Sequence, residues 1–293
     1  MADFRCDQAA GLRRLIAPRV LRVVTFASGT AGAGKTTIVA NVAVALARQG
    51  QEVLIVDEND PAHQGAFFGL RATGDLLQVI NRQRDLEAVM FSPMPGLSIL
   101  PAGQAARQLG RLSTRQRQAM QEGLHALAPD VILIDADPEY GQRVSPWELA
   151  SSEVVMVVSA SGAAITEAYA RIKKISLAFS RRCFRILVNR ARQPEEGRRI
   201  FDNLQKVAAQ RGIARLEYGG ALPLDTRVKQ VGQLFLPIVE TLPEASFSDA
   251  LKTFASHLLH WPAPDCENVR GVEQFIEQLL HFCHPITSDA LST

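Results

Sequence analysis

Apolar runs of strand length recur along the chain, each followed by a stretch of helical period. The runs are Leu21–Phe26, Glu52–Val56, Leu97–Leu100, Val131–Ile134, Val154–Val158 and Phe184–Val188. The amphipathic stretches between them include Thr36–Gln49, Thr114–Leu127, Glu167–Phe179 and Arg198–Arg211. Runs this apolar have no polar face to leave in water, so they predict strands covered on both sides. Their alternation with helices predicts an α/β fold with a mostly parallel, twisted sheet and helices on both faces. No fixed-period repeat is visible. Breaks at Ala17-Pro18 and at Trp261–Pro264 divide the chain into residues 1–20, a body over 21–261, and a C-terminal helix and tail over 262–293.

That last helix has its own pattern. Val272, Phe275, Ile276, Leu279, Leu280 and Cys283 recur at helical spacing, while Glu273, Gln274, Glu277, Gln278 and His281 occupy the other face. An interfacial helix would place Lys and Arg there to meet anionic headgroups, and glutamates are repelled by them. Two readings stay open for 272–283: attachment to a membrane surface, or packing on the chain's own body or a partner.

Composition narrows the class. The 293 residues are 47% hydrophobic, 21% charged and 6% aromatic, with 20 Gly and 15 Pro, which excludes collagen-like and low-complexity chains. No window holds the roughly 18 uninterrupted apolar residues of a bilayer span. The first residues lack the apolar run and cleavage site of a secretory signal. Cys6, Cys183, Cys266 and Cys283 show no paired spacing, as expected for a reducing cytoplasm. Four of the six histidines lie in the last 40 residues, but no pair-plus-pair spacing with Cys266 and Cys283 supports a zinc site. The net charge of +2 conceals a basic segment: between Arg171 and Arg199, ten Lys and Arg stand against Glu195 and Glu196. Such a block suits nucleic acid, an anionic membrane or an acidic partner, or it is simply a solvated helix face.

The strongest chemical signal is Gly29-Thr30-Ala31-Gly32-Ala33-Gly34-Lys35-Thr36, a complete G-x-x-x-x-G-K-[ST] phosphate loop directly after a strand and opening a helix. Glycines let backbone N–H groups curl around phosphate oxygens, and the helix N-terminus adds positive potential. Lys35 can reach the β- and γ-phosphates of a nucleotide, and the Thr36 hydroxyl can ligate Mg²⁺. Asp57 and Asp135 end the second and fourth predicted strands. Carboxylates at the carboxyl ends of parallel strands face the ligand crevice, where they can hold Mg²⁺ or orient an attacking water.

The ordered set Thr25–Thr37, Val53–Asp57, Val131–Asp135, Leu187–Arg190 and Gly220–Asp225 resembles the MinD/ParA class of P-loop ATPases, with its deviant phosphate loop, over about residues 20–260. The resemblance implies bound ATP and Mg²⁺ and a face-to-face homodimer driven by ATP. It makes Lys35, Asp57 and Asp135 the catalytic set. It assigns residues Gly29 to Thr37, with Asn189, Arg190 and Pro223, to the nucleotide. Residues 7–15, with Asp7, Gln8, Leu12 and Arg13, are similar to the DQA-x-x-LR segment of the flagellar-number regulators called FlhG, FleN or YlxH. In that subfamily the segment activates FlhF, a GTPase of the signal-recognition-particle type, so the resemblance implies this partner and the flagellar basal body. Asp7 can cap a short helix that presents Gln8 to a catalytic water in trans.

Two positions depart from the class. A second lysine usual in the loop is Thr30 here, and the aspartate two residues beyond Asp57 is Asn59. An amide cannot take a proton, so binding is expected to survive better than fast hydrolysis, unless Asp60 or Asp137 substitutes. The expected protein is a cytoplasmic MinD-like switch, peripheral at the inner membrane if its C-terminal helix attaches there. The alternatives are a DNA-partitioning ATPase that uses the basic segment, and a nucleotide-binding adaptor that does not hydrolyse.

Overall fold

The structure is a computed structural model that describes residues 21–137, 144–179, 181, 183–232, 234, 236–262 and 271–283. The N-terminal segment with Asp7, Gln8, Leu12 and Arg13 lies outside the described residues. In chain order, β1 (Arg22–Ser28) leads through the glycine loop into α1 (Lys35–Arg48), and β2 (Val53–Asp57) follows. Short helices α2 (His63–Phe67), α3 (Leu76–Ile80) and α4 (Leu86–Val89) precede β3 (Phe91–Met94), β4 (Leu97–Pro101), α5 (Gly103–Gln108) and α6 (Thr114–His125). Next come β5 (Val131–Asp135), α7 (Pro146–Ala150), β6 (Glu153–Ser159), α8 (Gly162–Phe179), β7 (Cys183–Ala191), α9 (Pro194–Gln210) and β8 (Arg215–Pro223). The last helices are α10 (Thr226–Gly232), α11 (Ile238–Thr241), α12 (Ser246–His260) and α13 (Val272–Phe282).

The eight strands form one sheet in the order β3-β4-β2-β5-β1-β6-β7-β8, parallel except for the β3–β4 edge pair. Side chains alternate across it, as the period of two requires. Val24, Phe26, Ile55 and Leu133 pack on α1, α11 and α12, whereas Val23, Leu54, Ile132 and Ile134 pack on α3, α5, α6, α7 and α13. Met156, Val158 and Ile186 meet α8 and α9. Helix α1 is buried on nearly every side because α12 covers the face the sheet leaves. Its one buried amide, Asn41, is satisfied: Nδ2 donates to Thr37 O at 2.8 Å, and Oδ1 accepts from the Val239 N–H at 3.1 Å.

The apolar runs all became strands. Two further strands escaped the pattern. β3 is a half-exposed edge that contains Pro93, and β8 carries Gly219-Gly220 and is only partly buried, so neither shows a continuous apolar run. Helix α9 starts at Pro194, four residues before the predicted start, with the proline in its first turn.

Candidate nucleotide site

Parallel pairing of β1, β2 and β5 brings their carboxyl ends together, and the β2–β5 register sets Asp57 directly beside Asp135. The loop from Gly29 to Gly34 arches over these ends. Gly32 and Gly34 take φ of +73° and +88°, a region that disfavours residues with a Cβ. Gly29 is constrained differently: a Cβ there would overlap the backbone of Glu167 and Ala168 on α8. Lys35, the first residue of α1, is buried and forms an ion pair with the fully buried Asp135.

A polar cluster fills the space below. Asn59 Nδ2 donates to Asp57 Oδ1 at 2.7 Å and to Asp135 Oδ2 at 3.1 Å, so one neutral amide bridges the two carboxylates. The backbone N–H groups of Asn59 and Gln64 also donate to Asp57, at 3.1 and 2.7 Å. Gln64 Nε2 donates to Asp135 Oδ2 at 2.8 Å and to the Thr36 carbonyl at 3.1 Å. Burial pushes the Asp57 carboxyl up to about 7, and neighbouring Asp135 adds to the rise, against the hydrogen bonds from Asn59 and Gln64.

At the far side of the loop, Asn189 ends the central part of β7. Its Nδ2 donates to the Ala33 carbonyl at 2.8 Å, which fixes the loop to the strand. Arg190 adopts φ of +61° and is exposed. Pro223 lies beside Ala191 in the β7–β8 register, and the Leu224 N–H closes the pair at 2.8 Å. Asp225 and Arg227 form an ion pair just beyond, at 2.6 Å. The sheet thus gathers Asn189, Arg190 and Pro223 at the two strand ends next to the loop.

Residues 24–237 match the CobQ/CobB/MinD/ParA nucleotide binding domain. The chain belongs to this family. It is similar to the "Antiactivator FleN" of Pseudomonas aeruginosa, 31% identical, with 92% of this chain and 97% of that protein covered. It is also similar to the "Flagellum site-determining protein YlxH" of Helicobacter pylori, 27% identical over 89% of this chain and 90% of that one. Among solved structures it resembles the MinD cell division protein of Aquifex aeolicus, with a TM-score of 0.65 and 23% identity over 83% of this chain and 99% of that one. That likeness establishes the fold alone.

Within this MinD/ParA fold, sequence reasoning missed Gln64 and Glu58. Glu58 follows Asp57 and is just as buried. It accepts hydrogen bonds from the Ser145 hydroxyl and, at 3.3 Å, from the Asp137 backbone N–H. Ser145 also caps α7, through the Glu148 N–H at 3.1 Å, and Glu148 pairs with Arg171 of α8 at 2.6 Å. Burial pushes Glu58 up to about 8, and Glu148 contributes. The folded protein therefore favours the acid form of Glu58. Its contribution to stability is complete below the ordinary value of 4.5 and is lost as pH rises through about 8. In the metal-free protein, unfolding free energy should fall with pH across this window, by at most about 1.4 kcal/mol per pH unit from this group. Glu58→Gln should flatten the slope in chemical denaturation, and an unchanged slope would refute the assignment.

Of the two carboxylates considered as substitutes at position 59, Asp60 pairs with Arg107 at 3.0 Å, and Asp137 contributes its backbone to Glu58. Asn59 has the more definite role. Asn59→Asp would place a third carboxylate against two others, so the metal-free protein should lose at least about 2 kcal/mol of stability. Millimolar Mg²⁺ should restore part of the loss in thermal unfolding. A variant as stable as the wild type without Mg²⁺ would show that the bridge is immaterial.

The basic segment is partly spent on the fold. Arg171 pairs with Glu148, and Arg181 donates to the carbonyls of Leu149, Ser151 and Ser152. Arg185 pairs with Glu153 and Glu217 and lies 4.2 Å over the Trp261 ring. At the C-terminal end, the apolar face of α13 is covered. Phe275, Ile276, Leu279 and Cys283 are buried with Met120 and Leu124 of α6 and Trp147 of α7. No helix among the described residues is long and apolar enough to cross a membrane.

Proposed function

We propose that this chain is an ATP-binding, MinD-like switch that regulates the number or placement of flagella. The observation that carries the nucleotide reading is the β2–β5 register, which sets Asp57 beside Asp135 beneath Lys35 and Thr36. The flagellar reading rests on similarity to a FleN and a YlxH along almost the whole of each chain.

The residues present fit an Mg²⁺-nucleotide. Two left-handed glycines free the loop N–H groups for phosphate oxygens, and the donors beneath are hard oxygens of the kind Mg²⁺ takes. Residues 29 to 34 and Lys35 would hold the phosphates. Thr36, Asp57 and Asp135 would hold the metal or its waters, Asn189 would read the adenine edge with Arg190 beside it, and the segment from Pro223 to Arg227 would flank the base. Bound Mg²⁺ supplies neutralisation of charge on the β- and γ-phosphates. Lys35 must leave Asp135 to reach those phosphates, so nucleotide and carboxylate compete for one ammonium group.

Hydrolysis in this reading is slow. Asn59 cannot accept a proton, and Thr30 brings no charge to a facing nucleotide in an ATP-dependent homodimer. Unaided turnover should stay below about 1 s⁻¹, the low end of ordinary enzymes. Asn59→Asp, assayed with Mg²⁺-ATP, should equal or exceed the wild type. Turnover of zero in every nucleotide and partner condition would favour the adaptor reading.

The N-terminal segment is proposed to stimulate an FlhF-type GTPase, with flagellar basal-body components as further partners. A peptide of residues 2–18 should accelerate single-turnover GTP hydrolysis by such a GTPase. Gln8→Ala should reduce stimulation more than binding, and Leu12→Asp should weaken binding itself; Arg13→Ala tests an acidic contact. Equal rates with wild-type peptide, Gln8→Ala peptide and no peptide would leave a MinD-like ATPase without this activity. Nucleic acid is the weaker reading, because Arg171, Arg181 and Arg185 are engaged within the fold. Steeply salt-dependent binding to random duplex would revive it.

A further inference from the structure

Gln64 has a side chain whose orientation is fully determined and whose oxygen is left over. Its Nε2 hydrogens are both committed, to Asp135 Oδ2 and to the Thr36 carbonyl, and its backbone N–H is committed to Asp57 Oδ2. Reversing the amide would press Oε1 against two oxygen acceptors, so the network fixes which atom points where. Oε1 therefore faces away from those acceptors. It is fully buried and has no hydrogen-bond partner among the described residues.

A buried carbonyl oxygen without a donor bears its desolvation uncompensated, so an unpartnered one at a polar site points to a missing donor. The amide oxygen lies only about 2.2 Å from its own nitrogen by covalent geometry. Gln64 meets Asp57, Thr36 and Asp135 through its two nitrogens, so Oε1 borders the group that these residues form. Among the described residues no protein donor reaches Oε1, and the Asn59 amide and the Lys35 ammonium both donate to carboxylates instead.

We propose that Gln64 is a positioning residue for the metal, accepting at Oε1 a hydrogen bond from a water in the hydration shell of nucleotide-bound Mg²⁺. The proposal rests on reading this cluster as an Mg²⁺-nucleotide site. Mg²⁺ gives up its waters reluctantly and usually keeps several, held by carboxylates and substrate phosphates. Such waters are strong donors and need acceptors around them. Asp57 and Asp135 have several of their lone pairs occupied by Asn59, Gln64 and Lys35, whereas Oε1 has both of its own free. Through Nε2 the same amide holds Asp135 in place, so one side chain links the carboxylate to the metal's water.

The test is binding of ADP by calorimetry in EDTA and across an Mg²⁺ titration, with wild type, Gln64→Met and Gln64→Glu. Methionine keeps the length and removes both the oxygen and the Nε2 donations, and glutamate removes the same donations while keeping an acceptor oxygen. The Mg²⁺ concentration for half-maximal tightening should rise roughly 10-fold or more in Gln64→Met, the usual cost of losing an outer-shell partner. Each variant's own affinity in EDTA is the reference for its Mg²⁺ response, so any metal-independent effect of the lost donations to Asp135 and Thr36 is separated from the effect on the metal. Gln64→Glu should respond to Mg²⁺ at or below the wild-type concentration, although it unfolds at a lower temperature without the metal. A wild-type Mg²⁺ response in Gln64→Met overturns the proposal. So does a Gln64→Glu protein as impaired as Gln64→Met, because then the donation to Asp135 is what matters. If Gln64→Met does not fold, the Gln64→Glu response decides alone. Wild-type ADP binding that does not respond to Mg²⁺ also overturns the proposal, whereas no ADP binding by the wild type removes the nucleotide reading itself, a different failure from loss of the Gln64 role.

Discussion

Lys35→Ala is expected to weaken binding of a non-hydrolysable ATP analogue with Mg²⁺ by about 100-fold or more. A charge-assisted hydrogen bond to phosphate is worth about 1.5–3 kcal/mol, and the ammonium group can make more than one. The substitution has a second effect in the nucleotide-free protein. It leaves Asp135 fully buried beside Asp57 with no cation, and breaking a buried pair costs about 3–5 kcal/mol. Protonation of Asp57, whose carboxyl burial already pushes up, takes up part of that loss. The two effects separate in the double variant Lys35→Ala, Asp135→Asn, which should regain stability and still bind nucleotide poorly. Asp135→Asn alone should bind nucleotide more tightly in EDTA than the wild type, because the phosphates no longer compete with Asp135 for Lys35. Unchanged affinity in Lys35→Ala, measured by calorimetry, would remove the phosphate-site assignment.

Truncation after Trp261 is expected to lower the melting temperature by about 10 °C or more. It removes Phe275, Ile276 and Leu279 from contact with Met120, Leu124 and Trp147. Three fully buried side chains of this size stabilise a fold by on the order of 5 kcal/mol, an upper figure given a partly compact unfolded chain. At this length each kcal/mol moves the midpoint by about 2–4 °C. The same helix is the candidate membrane anchor over 272–283, and the two roles compete for one face. If the helix serves packing, the full chain should not sediment with anionic liposomes in ATP, and truncation should cost stability alone. ATP-dependent sedimentation that disappears on truncation would mean that the face leaves Trp147. Cys283 reports the same event: it is buried, and burial holds its thiol up at about 12, so it should resist alkylation while α13 stays docked.

The parts of the fold legible in the sequence were those governed by local pattern. β1, β2, β5, β6 and β7 are apolar on both faces because helices cover both sides, and that leaves short continuous apolar runs of strand length. The glycine loop was legible as a spacing, and Gly32 and Gly34 take the left-handed backbone that spacing calls for. Gln64 was not, since its part depends on a turn after β2 that brings it back onto Asp57 seven residues earlier. Glu58 was hidden for the same reason: its partner Ser145 lies 87 residues away. The basic segment looked like a free surface because the glutamates that neutralise Arg171 and Arg185 are on α7, β6 and β8. Periodicity identified the apolar face of α13 but could not say what would cover it.

The proposed switch ties control of flagella to the nucleotide site. It is tested most directly by counting flagella per cell, by electron microscopy, in the organism that encodes this chain after deletion of its gene. The deletion strain should carry an altered number or placement of flagella. Complementation by the wild-type chain should restore the normal pattern, and complementation by Lys35→Ala at equal protein abundance should not. An unaltered count in the deletion strain would contradict the flagellar role, and full restoration by Lys35→Ala would contradict its dependence on nucleotide.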